Sequence, residues 1–268
     1  MFESITSLQN DRVKNLVRLR DGGHRRRQSR FIIEGCREFE RATAAKWPIE
    51  TLFFGEDYFR DEDAYRLLET AEQGGIELVR LGRDAFAKVA FRQNPDGILA
   101  TARQLDRKLP EIIRKEDNLL VVLEGVEKPG NLGAVFRTAN AAGCDALILA
   151  DPVCDPYSPQ AIRASQGAFF DLPFHQATSA EVIAFLTERA IQPIVTSPAG
   201  TISFWEADLR ASCALVMGSE DKGLSEAWLD CSAAFFLPMR GLMDSLNLAS
   251  MAAIGLFEAV RQRSVASS

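Results

Sequence analysis

The sequence is poor in histidine, has no closely paired cysteines and contains no long apolar run. Only His24 and His175 are present, and none of the five cysteines forms a CxxC pair. A zinc site, a histidine-ligated metal centre and a disulfide framework are therefore not expected, and the cysteines should be reduced and mostly buried. No stretch approaches the roughly 20 apolar residues of a membrane span, and the N-terminus lacks the apolar segment of a signal peptide. We predict a cytoplasmic protein that binds neither metal nor membrane.

Two nucleotide-binding signatures are also missing. The phosphate-binding loop GxxxxGK[ST] and the dinucleotide fingerprint GxGxxG are both absent from the glycine-rich segments GNLG (130–133) and GSEDKG (218–223). A loop that cradles nucleotide phosphates is therefore disfavoured.

The charge of the chain is unevenly distributed. The formal net charge is −6, yet the segment from residue 12 to 30 contains eight basic residues against Asp21 alone. The eight are Arg12, Lys14, Arg18, Arg20, Arg25, Arg26, Arg27 and Arg30. A basic stripe on an acidic protein indicates a phosphate-bearing partner, although a solvated helix face and loop would carry the same charges.

The first part of the chain is predicted to be a small α/β/α domain. Amphipathic helices and apolar strands alternate up to the strand that follows the turn Asn94–Gly97. DGGHRRRQSR (21–30) is interpreted as a polar loop between a helix and the strand FIIEG. The charged segment that follows has no strand pattern, so we expect a domain at 1–105 and a linker at 106–117.

The second part, at 118–268, is predicted to be a parallel-sheet α/β/α domain. Apolar runs without alternation, such as LLVVLEG (119–125), ALILA (146–150) and CALVMG (213–218), are separated by helix-like segments. This pattern is typical of parallel strands that are covered on both faces. Ligands of such sheets bind in the loops at the carboxyl ends of the strands.

Five polar residues of these loops are candidates for a site. Asn131 is interpreted as the N-cap of a helix, and Arg137 lies among small and apolar residues, where it would bind an anion or a phosphate. Glu220 follows an apolar strand and is suited to accepting backbone N–H bonds. Asp244 or Ser245 is expected to cap the last helix, and Asn247 is expected inside its first turn. No histidine base accompanies Ser245, so the set is better suited to orienting a substrate than to nucleophilic attack.

Three segments, taken in order, resemble the motifs of the SpoU/TrmH family of RNA methyltransferases. They are NLGAVFRTANAAG (131–143), LVMGSEDKGL (215–224) and LPMRGLMDSLNLASMAA (237–253). The segment RLRDGGHRRRQSRFIIEGCREFERA (18–42) resembles the ribosomal-protein-like substrate-binding domain of that family. One departure is Ala249, where many relatives have serine.

The resemblance implies a fold, a cofactor and a set of roles. It implies a deep trefoil knot in the C-terminal domain, a homodimer, and methyl transfer from S-adenosylmethionine to a ribose 2′-hydroxyl of tRNA or rRNA. By motif position, the active-site residues would be Asn131, Arg137, Glu220, Ser245 and Asn247. The backbone at Gly218, Leu237 and Leu246 would hold the cofactor, and the basic residues Arg25, Arg26, Arg27 and Arg30 would bind RNA.

Two questions stay open at this point. In the family, Arg137 is proposed to remove the hydroxyl proton, but a guanidinium normally stays protonated in proteins, so stabilisation of the developing alkoxide is the more conservative role. The alternatives in function are base methylation by the same fold and a non-catalytic RNA-binding or assembly protein.

Finally, the small residues Ala249, Ser250, Ala252, Ala253 and Gly255 are expected to form a close-packing surface.

Overall fold

A computed structural model describes residues 2–113 and 117–266, in which helices and strands alternate along the chain. The strands are β1 Glu3–Ile5, β2 Arg30–Glu34, β3 Ile49–Phe54, β4 Glu77–Leu81, β5 Ile98–Arg103, β6 Leu119–Glu124, β7 Ala146–Ala150, β8 Phe174–Ala177, β9 Gln192–Thr196, β10 Ile202–Ser203, β11 Cys213–Met217 and β12 Ala234–Phe236. The helices are α1 Asp11–Arg18, α2 Gly22–Gln28, α3 Cys36–Ala44, α4 Asp63–Gln73, α5 Arg83–Val89, α6 Leu109–Ile112, α7 Pro129–Ala141, α8 Pro159–Ser165, α9 Ala168–Asp171, α10 Ser179–Glu188, α11 Glu226–Cys231 and α12 Leu248–Ala266.

The chain divides into two compact units. Unit 1 consists of Met1–Leu105 and Asp155–Asp171, and unit 2 of Asp106–Cys154 and Leu172–Ser268. The boundaries expected from the sequence stay a prediction. Of the predicted linker, residues 114–116 lie outside the described residues, as do residue 1 and residues 267–268 of the predicted domains.

Unit 1 contains a mixed five-stranded sheet in the order β1-β4-β3-β5-β2. β1, β4 and β3 run parallel, whereas β5 is antiparallel to both β3 and β2. A cluster of buried apolar side chains forms a core of this unit, and it includes Leu16, Ile32, Phe53, Phe86 and Leu99. The segment 155–171, which follows β7 in the sequence, adds Tyr157, Phe169 and Phe170 to an aromatic cluster with Phe31 and Trp47.

The interpretation of DGGHRRRQSR as a loop is wrong, because residues 22–28 form the helix α2. The Asp21 side chain accepts a hydrogen bond from the His24 N–H at 3.1 Å, and Ser29 ends the helix in the left-handed conformation, with φ of 50°. Two adjacent glycines and a run of charges hide this helix from a reading of apolar periodicity, because its only buried residue is Arg25.

Unit 2 contains a seven-stranded sheet in the order β10-β12-β9-β11-β6-β7-β8. Every pair of neighbouring strands is parallel. All residues of β6, β7 and β11 are buried, which is why these strands appear in the sequence as uninterrupted apolar runs. The prediction of an α/β fold with a parallel sheet is confirmed.

The first turns of α7 and α12 differ from the predictions. The N-cap of α7 is Lys128, so Asn131 lies inside the first turn and its side chain is directed to another loop. At α12 the cap is Asn247, whose Oδ1 accepts a hydrogen bond from the Ala249 N–H at 2.9 Å. Capping by Asp244 or Ser245 is therefore wrong, because both residues precede the helix by at least three positions.

The small residues at the start of α12 are buried only in part. Ala252 and Gly255 are buried, whereas Ser250 is exposed. A Cβ atom on Gly255 would lie 2.5 Å from Leu215 Cδ2 in β11, so glycine allows this approach of helix and strand without a shift of the Leu215 side chain. No helix in the described part of the chain is long and apolar enough to cross a membrane.

Candidate active site

Several loops of unit 2 meet at one edge of its sheet. β6, β11, β9 and β12 are neighbours and run parallel, so the loops that follow them lie at the same edge. This edge is where ligands bind in sheets of this kind. It brings together residues from segments more than 100 positions apart in the sequence.

Three of the five candidate side chains are joined by hydrogen bonds. Asn131 Nδ2 donates to Glu220 Oε1, and Asn247 Nδ2 donates to Asn131 Oδ1 at 3.1 Å. Because Asn247 also caps α12, this network connects the loop after β11 with the first turns of α7 and α12. Glu220, Asn131 and Asn247 therefore form one hydrogen-bonded cluster.

One oxygen of this cluster has no partner. Glu220 Oε2 is buried and accepts no hydrogen bond from the residues that the structure describes. A buried carboxylate oxygen without a donor is costly. The oxygen therefore suits a ligand that brings either a hydrogen-bond donor or a positive charge.

The other two candidates stand apart from the network. Arg137 lies in α7, six residues beyond Asn131 and so about 9 Å further along the helix axis; it is exposed and forms no ion pair or hydrogen bond within residues 2–113 and 117–266. Ser245 is also exposed, and its hydroxyl donates to Asp244 Oδ1 at 3.3 Å. Both side chains are therefore accessible to a substrate.

The backbone positions predicted for the cofactor lie in two of these loops. A Cβ atom on Gly218 would lie 2.1 Å from the carbonyl carbon of Gly223, so the loop after β11 closes on itself only with glycine there. Leu237 is half-buried and Leu246 is 42 % exposed. Together with the exposed Leu242 and Met243, they give this edge an apolar surface without a phosphate-binding loop. In the described ranges, no three His, Cys, Asp or Glu side chains are grouped so that they would hold a metal ion.

The sequence prediction does not include Glu124, the last residue of β6. It is buried, and it accepts hydrogen bonds from Ser179 and from Ser225 at the start of α11. The signal for it was an ionisable residue at the end of an otherwise apolar strand.

The arginines predicted to bind RNA lie in unit 1 and differ in exposure. Arg25 is buried, and its guanidinium pairs with Asp155 at 2.7 Å and donates to the carbonyl oxygens of Leu19 and Arg20. Arg26 and Arg27 are exposed on α2. Arg25 is therefore placed to stabilise the fold. Its guanidinium is not on the solvent-exposed surface that Arg26 and Arg27 form.

Several other basic residues of the stripe form ion pairs or hydrogen bonds within unit 1. Arg30 Nη2 donates to Glu50 Oε1 at 3.1 Å, and hydrogen bonds from Arg30 and Arg103 hold the pKa of Glu50 below its usual value. Arg12 pairs with Glu77 at 2.7 Å, and Arg20 donates to two backbone carbonyls. The exposed charge is thus smaller than a count of residues suggests.

Comparison with known proteins identifies relatives of both parts of the chain. Residues 118–257 match the model of the SpoU rRNA methylase family, and residues 10–100 match an MRM3-like substrate-binding domain. A 23S rRNA (uridine(2479)-2′-O)-methyltransferase of Streptomyces viridochromogenes is 32 % identical over 89 % of this chain and 85 % of its own.

Solved structures agree with these matches over nearly the whole chain. A crystal structure of an RNA 2′-O ribose methyltransferase has a TM-score of 0.83 and 39 % identity, and the match covers 97 % of this chain and 99 % of the other. A rRNA methyltransferase of Sinorhizobium meliloti with bound S-adenosylmethionine has a TM-score of 0.88 and 30 % identity, over 97 % and 98 % of the two chains. The family match covers more than half of the residues, so the chain belongs to the SpoU rRNA methylase family.

Proposed function

We propose that this protein methylates a ribose 2′-hydroxyl of ribosomal RNA with S-adenosylmethionine as the methyl donor. The main support is the hydrogen-bond network of Glu220, Asn131 and Asn247 at the carboxyl edge of a parallel sheet. Arg137, in the same helix as Asn131, is exposed and forms no ion pair in the described residues. Membership in a family of rRNA methylases and the names of the relatives support the same reaction.

The residues at this edge fit S-adenosylmethionine. Apolar side chains and closely packed glycine backbone suit an adenosine that carries no phosphate, and Leu237, Leu246 and Gly218 would hold it. The buried Glu220 Oε2 suits a ligand with positive charge or N–H donors. S-adenosylmethionine supplies the methyl group on a sulfonium and leaves as neutral S-adenosylhomocysteine.

The side chains would divide the work by position. Asn131, Glu220 and Asn247 fix the relative geometry of three loops, which matters because alignment of reactants lowers the barrier to displacement. Arg137 would bind the phosphate next to the target ribose and stabilise the oxygen as it loses its proton to water. Ser245 would contact the ribose from the loop before α12. In unit 1, the exposed Arg26 and Arg27 would contribute phosphate contacts that carry no sequence information.

Labelled methyl transfer tests the proposal directly. Total rRNA is incubated with the full chain and methyl-labelled S-adenosylmethionine and then digested to nucleosides, with tRNA as a parallel substrate. We expect label in 2′-O-methylnucleosides of rRNA. Label in a base would show base methylation instead. No label together with no binding of S-adenosylmethionine by calorimetry would leave a non-catalytic RNA-binding or assembly protein.

The role of Arg137 is tested by a conservative change. Arg137→Lys keeps the charge but loses the planar fork of donors, and we expect methyl transfer to fall about 100-fold while S-adenosylmethionine still binds. Near-normal turnover would exclude a role that depends on guanidinium geometry.

The same proposal includes a trefoil knot, a homodimer and a cytoplasmic location, as the family resemblance implies. Exposed apolar residues of unit 2 support a subunit interface, among them Leu242, Met243, Phe257 and Val265. Phe257→Glu on α12 should convert a dimer to a monomer in analytical ultracentrifugation, and an unchanged sedimentation coefficient would contradict this interface. The proposed domains are 1–105 and 118–268, joined by a linker at 106–117.

A further inference from the structure

We propose that Glu124 is a positioning residue for methyl transfer, which fixes the loop Gly218–Leu224 and through it the carboxylate of Glu220. This inference rests on the proposed function. Glu124 itself is the last residue of β6, and it is only 8 % exposed. A carboxylate is tolerated in a protein interior when its oxygens accept hydrogen bonds. The hydrogen-bond partners of Glu124 therefore indicate its role.

The partners of Glu124 come from two separate segments of unit 2. Its Oε1 accepts hydrogen bonds from Ser179 Oγ at 2.7 Å and from Ser225 Oγ at 2.6 Å. Its Oε2 accepts the Ser225 backbone N–H at 2.7 Å. Hydrogen bonds to an ionised acceptor are short and strong, and two of the three hold Ser225.

These hydrogen bonds hold the second end of the loop Gly218–Leu224 to β6; its first end follows the paired strand β11. In the parallel pairing of β11 with β6, Met217 lies opposite Leu123, the residue before Glu124. The loop leaves β11 at Gly218 and reaches Ser225 at the start of α11. Both of its ends are therefore held by the last two residues of β6. Between these ends lies Glu220, whose Oε1 accepts the bond from Asn131.

At Ser225, the hydrogen bond to Glu124 takes the place of the usual helix-capping hydrogen bond. It is the N-cap residue of α11, but its side chain makes no capping hydrogen bond to the helix. Serine at this position usually accepts a hydrogen bond from an N–H of the first turn. Here the hydroxyl donates to Glu124 instead, so it holds the loop to the sheet.

Ser179 provides a matched control within the same cluster. Its hydroxyl donates to the same oxygen of Glu124 at nearly the same distance, but it begins α10 and not the loop with Glu220. If Glu124 only stabilises the fold, Ser179→Ala and Ser225→Ala should have similar effects on turnover. If Glu124 positions Glu220, only Ser225→Ala should reduce it.

The experiment compares these variants in the full chain with labelled S-adenosylmethionine and rRNA. We expect Ser225→Ala to lower kcat about tenfold and Ser179→Ala to stay within about twofold of wild type, because small displacements of reacting groups are costly. Ser225→Thr, which keeps the hydroxyl, should restore most of the activity. Equal losses for the two alanine variants, or no loss for Ser225→Ala, would overturn the inference.

Variants of Glu124 test the link to Glu220. Glu124→Gln should stay within about threefold of wild type, because a rotated amide donates to both hydroxyls and accepts the Ser225 N–H. Glu124→Leu should lower kcat about 100-fold, but add only about threefold in a Glu220→Gln background, since residues that act through one another are not additive. Additive losses would contradict positioning through Glu220. If Glu124→Leu does not fold, the serine pair decides.

Calorimetry with S-adenosylmethionine separates this inference from the proposed function. A wild-type chain that neither binds S-adenosylmethionine nor methylates RNA refutes the proposed function. An active wild type with equally impaired serine variants refutes only the role of Glu124.

Discussion

Each unit contains a buried strand that ends in glutamate followed by glycine, and the two glutamates hold loops in different electrostatic surroundings. β2 of unit 1 ends in Glu34-Gly35, and β6 of unit 2 ends in Glu124-Gly125. Both glutamates are 8 % exposed, and both glycines have positive φ, of 115° and 62°. The common geometry turns the chain sharply and leaves the carboxylate facing a loop from another part of the unit.

The surroundings of the two carboxylates differ in charge. Glu34 accepts the backbone N–H groups of Phe91 and Arg92 and lies in a charged cluster, in which the Arg92 guanidinium pairs with Glu38 at 2.8 Å and Asp96 at 3.4 Å. The partners of Glu124 are two serine hydroxyls and one backbone N–H. Both carboxylates thus accept neutral donors, but unit 1 adds ion pairs of Arg92 to its loop, whereas the serine partners of Glu124 carry no charge.

This difference indicates which role the charged side chains have in each unit. In unit 1, ion pairs occupy two of the four arginines that the sequence predicts to bind RNA, Arg25 and Arg30, and Arg25 is also buried. In unit 2, neutral donors hold the carboxylates of Glu124 and Glu220, and Arg137 forms no ion pair in the described residues. We therefore expect buried ion pairs to govern the stability of unit 1, and the hydrogen-bond network of Glu220, Asn131 and Asn247 to govern the activity of unit 2.

The largest effect is expected from Arg25→Ala. Arg25 and Asp155 have side-chain exposures of 4 % and 15 %. Removal of one partner of a buried pair leaves the other charge uncompensated, which costs about 3–5 kcal/mol. We expect a destabilisation of about 3 kcal/mol, measured by hydrogen exchange in α2 and β2.

Arg27→Ala serves as the control for this change, because Arg27 lies on the same helix and is exposed. It should leave the exchange rates of unit 1 nearly unchanged. If both variants lose the same stability, the helix and not the buried ion pair is responsible, and the contrast between the units fails.

The second effect is expected in unit 2 from Asn131→Asp. The change keeps the shape but replaces the amide that donates to Glu220 with a second carboxylate, so two like charges face each other. Methyl transfer should fall about 100-fold, or about 2.7 kcal/mol in the activation barrier, with little change in unfolding. Asn140→Asp on the exposed face of α7 is the matched control. An equal loss of activity in both variants would point to added charge on the helix and not to the network.

Sequence reasoning predicted the strands and the family well because both depend on local patterns. The parallel strands of unit 2 are apolar along their whole length, and the three motifs are contiguous segments. It failed where a side chain's partner is distant in the sequence. Arg25 lies 130 residues from Asp155, and Glu124 lies 101 residues from Ser225. Likewise, Asn131 is a plausible cap by residue type, but its actual partners are in other loops.

The third prediction concerns the arginines that remain exposed in unit 1. The double variant Arg26→Gln/Arg27→Gln should weaken rRNA binding about tenfold and reduce the slope of log affinity against log salt by about 1.5, since each phosphate contact contributes about 0.7–0.9. Binding of S-adenosylmethionine should be unchanged. Arg66→Gln, an arginine of α4 that pairs with Asp63, is the control. If the salt slope does not change, these arginines do not contact phosphate.

The smallest effect is expected from Glu34→Gln, as a change in the pH dependence of stability. Burial raises the pKa of Glu34 above its ordinary value of 4.5. Between pH 4.5 and the raised pKa, the folded carboxyl keeps a proton that the unfolded one has lost, so the free energy of unfolding falls as pH rises through this window. The amide oxygen in place of Oε1 still accepts both N–H groups, but the variant cannot ionise. Its melting temperature relative to wild type should therefore rise with pH across the window. Glu69→Gln on the exposed face of α4 is the control for the loss of a surface carboxylate. If the difference for Glu34→Gln follows that for Glu69→Gln at every pH, ionisation of this buried carboxyl does not oppose folding, and the contrast between the two glutamate clusters loses its thermodynamic support.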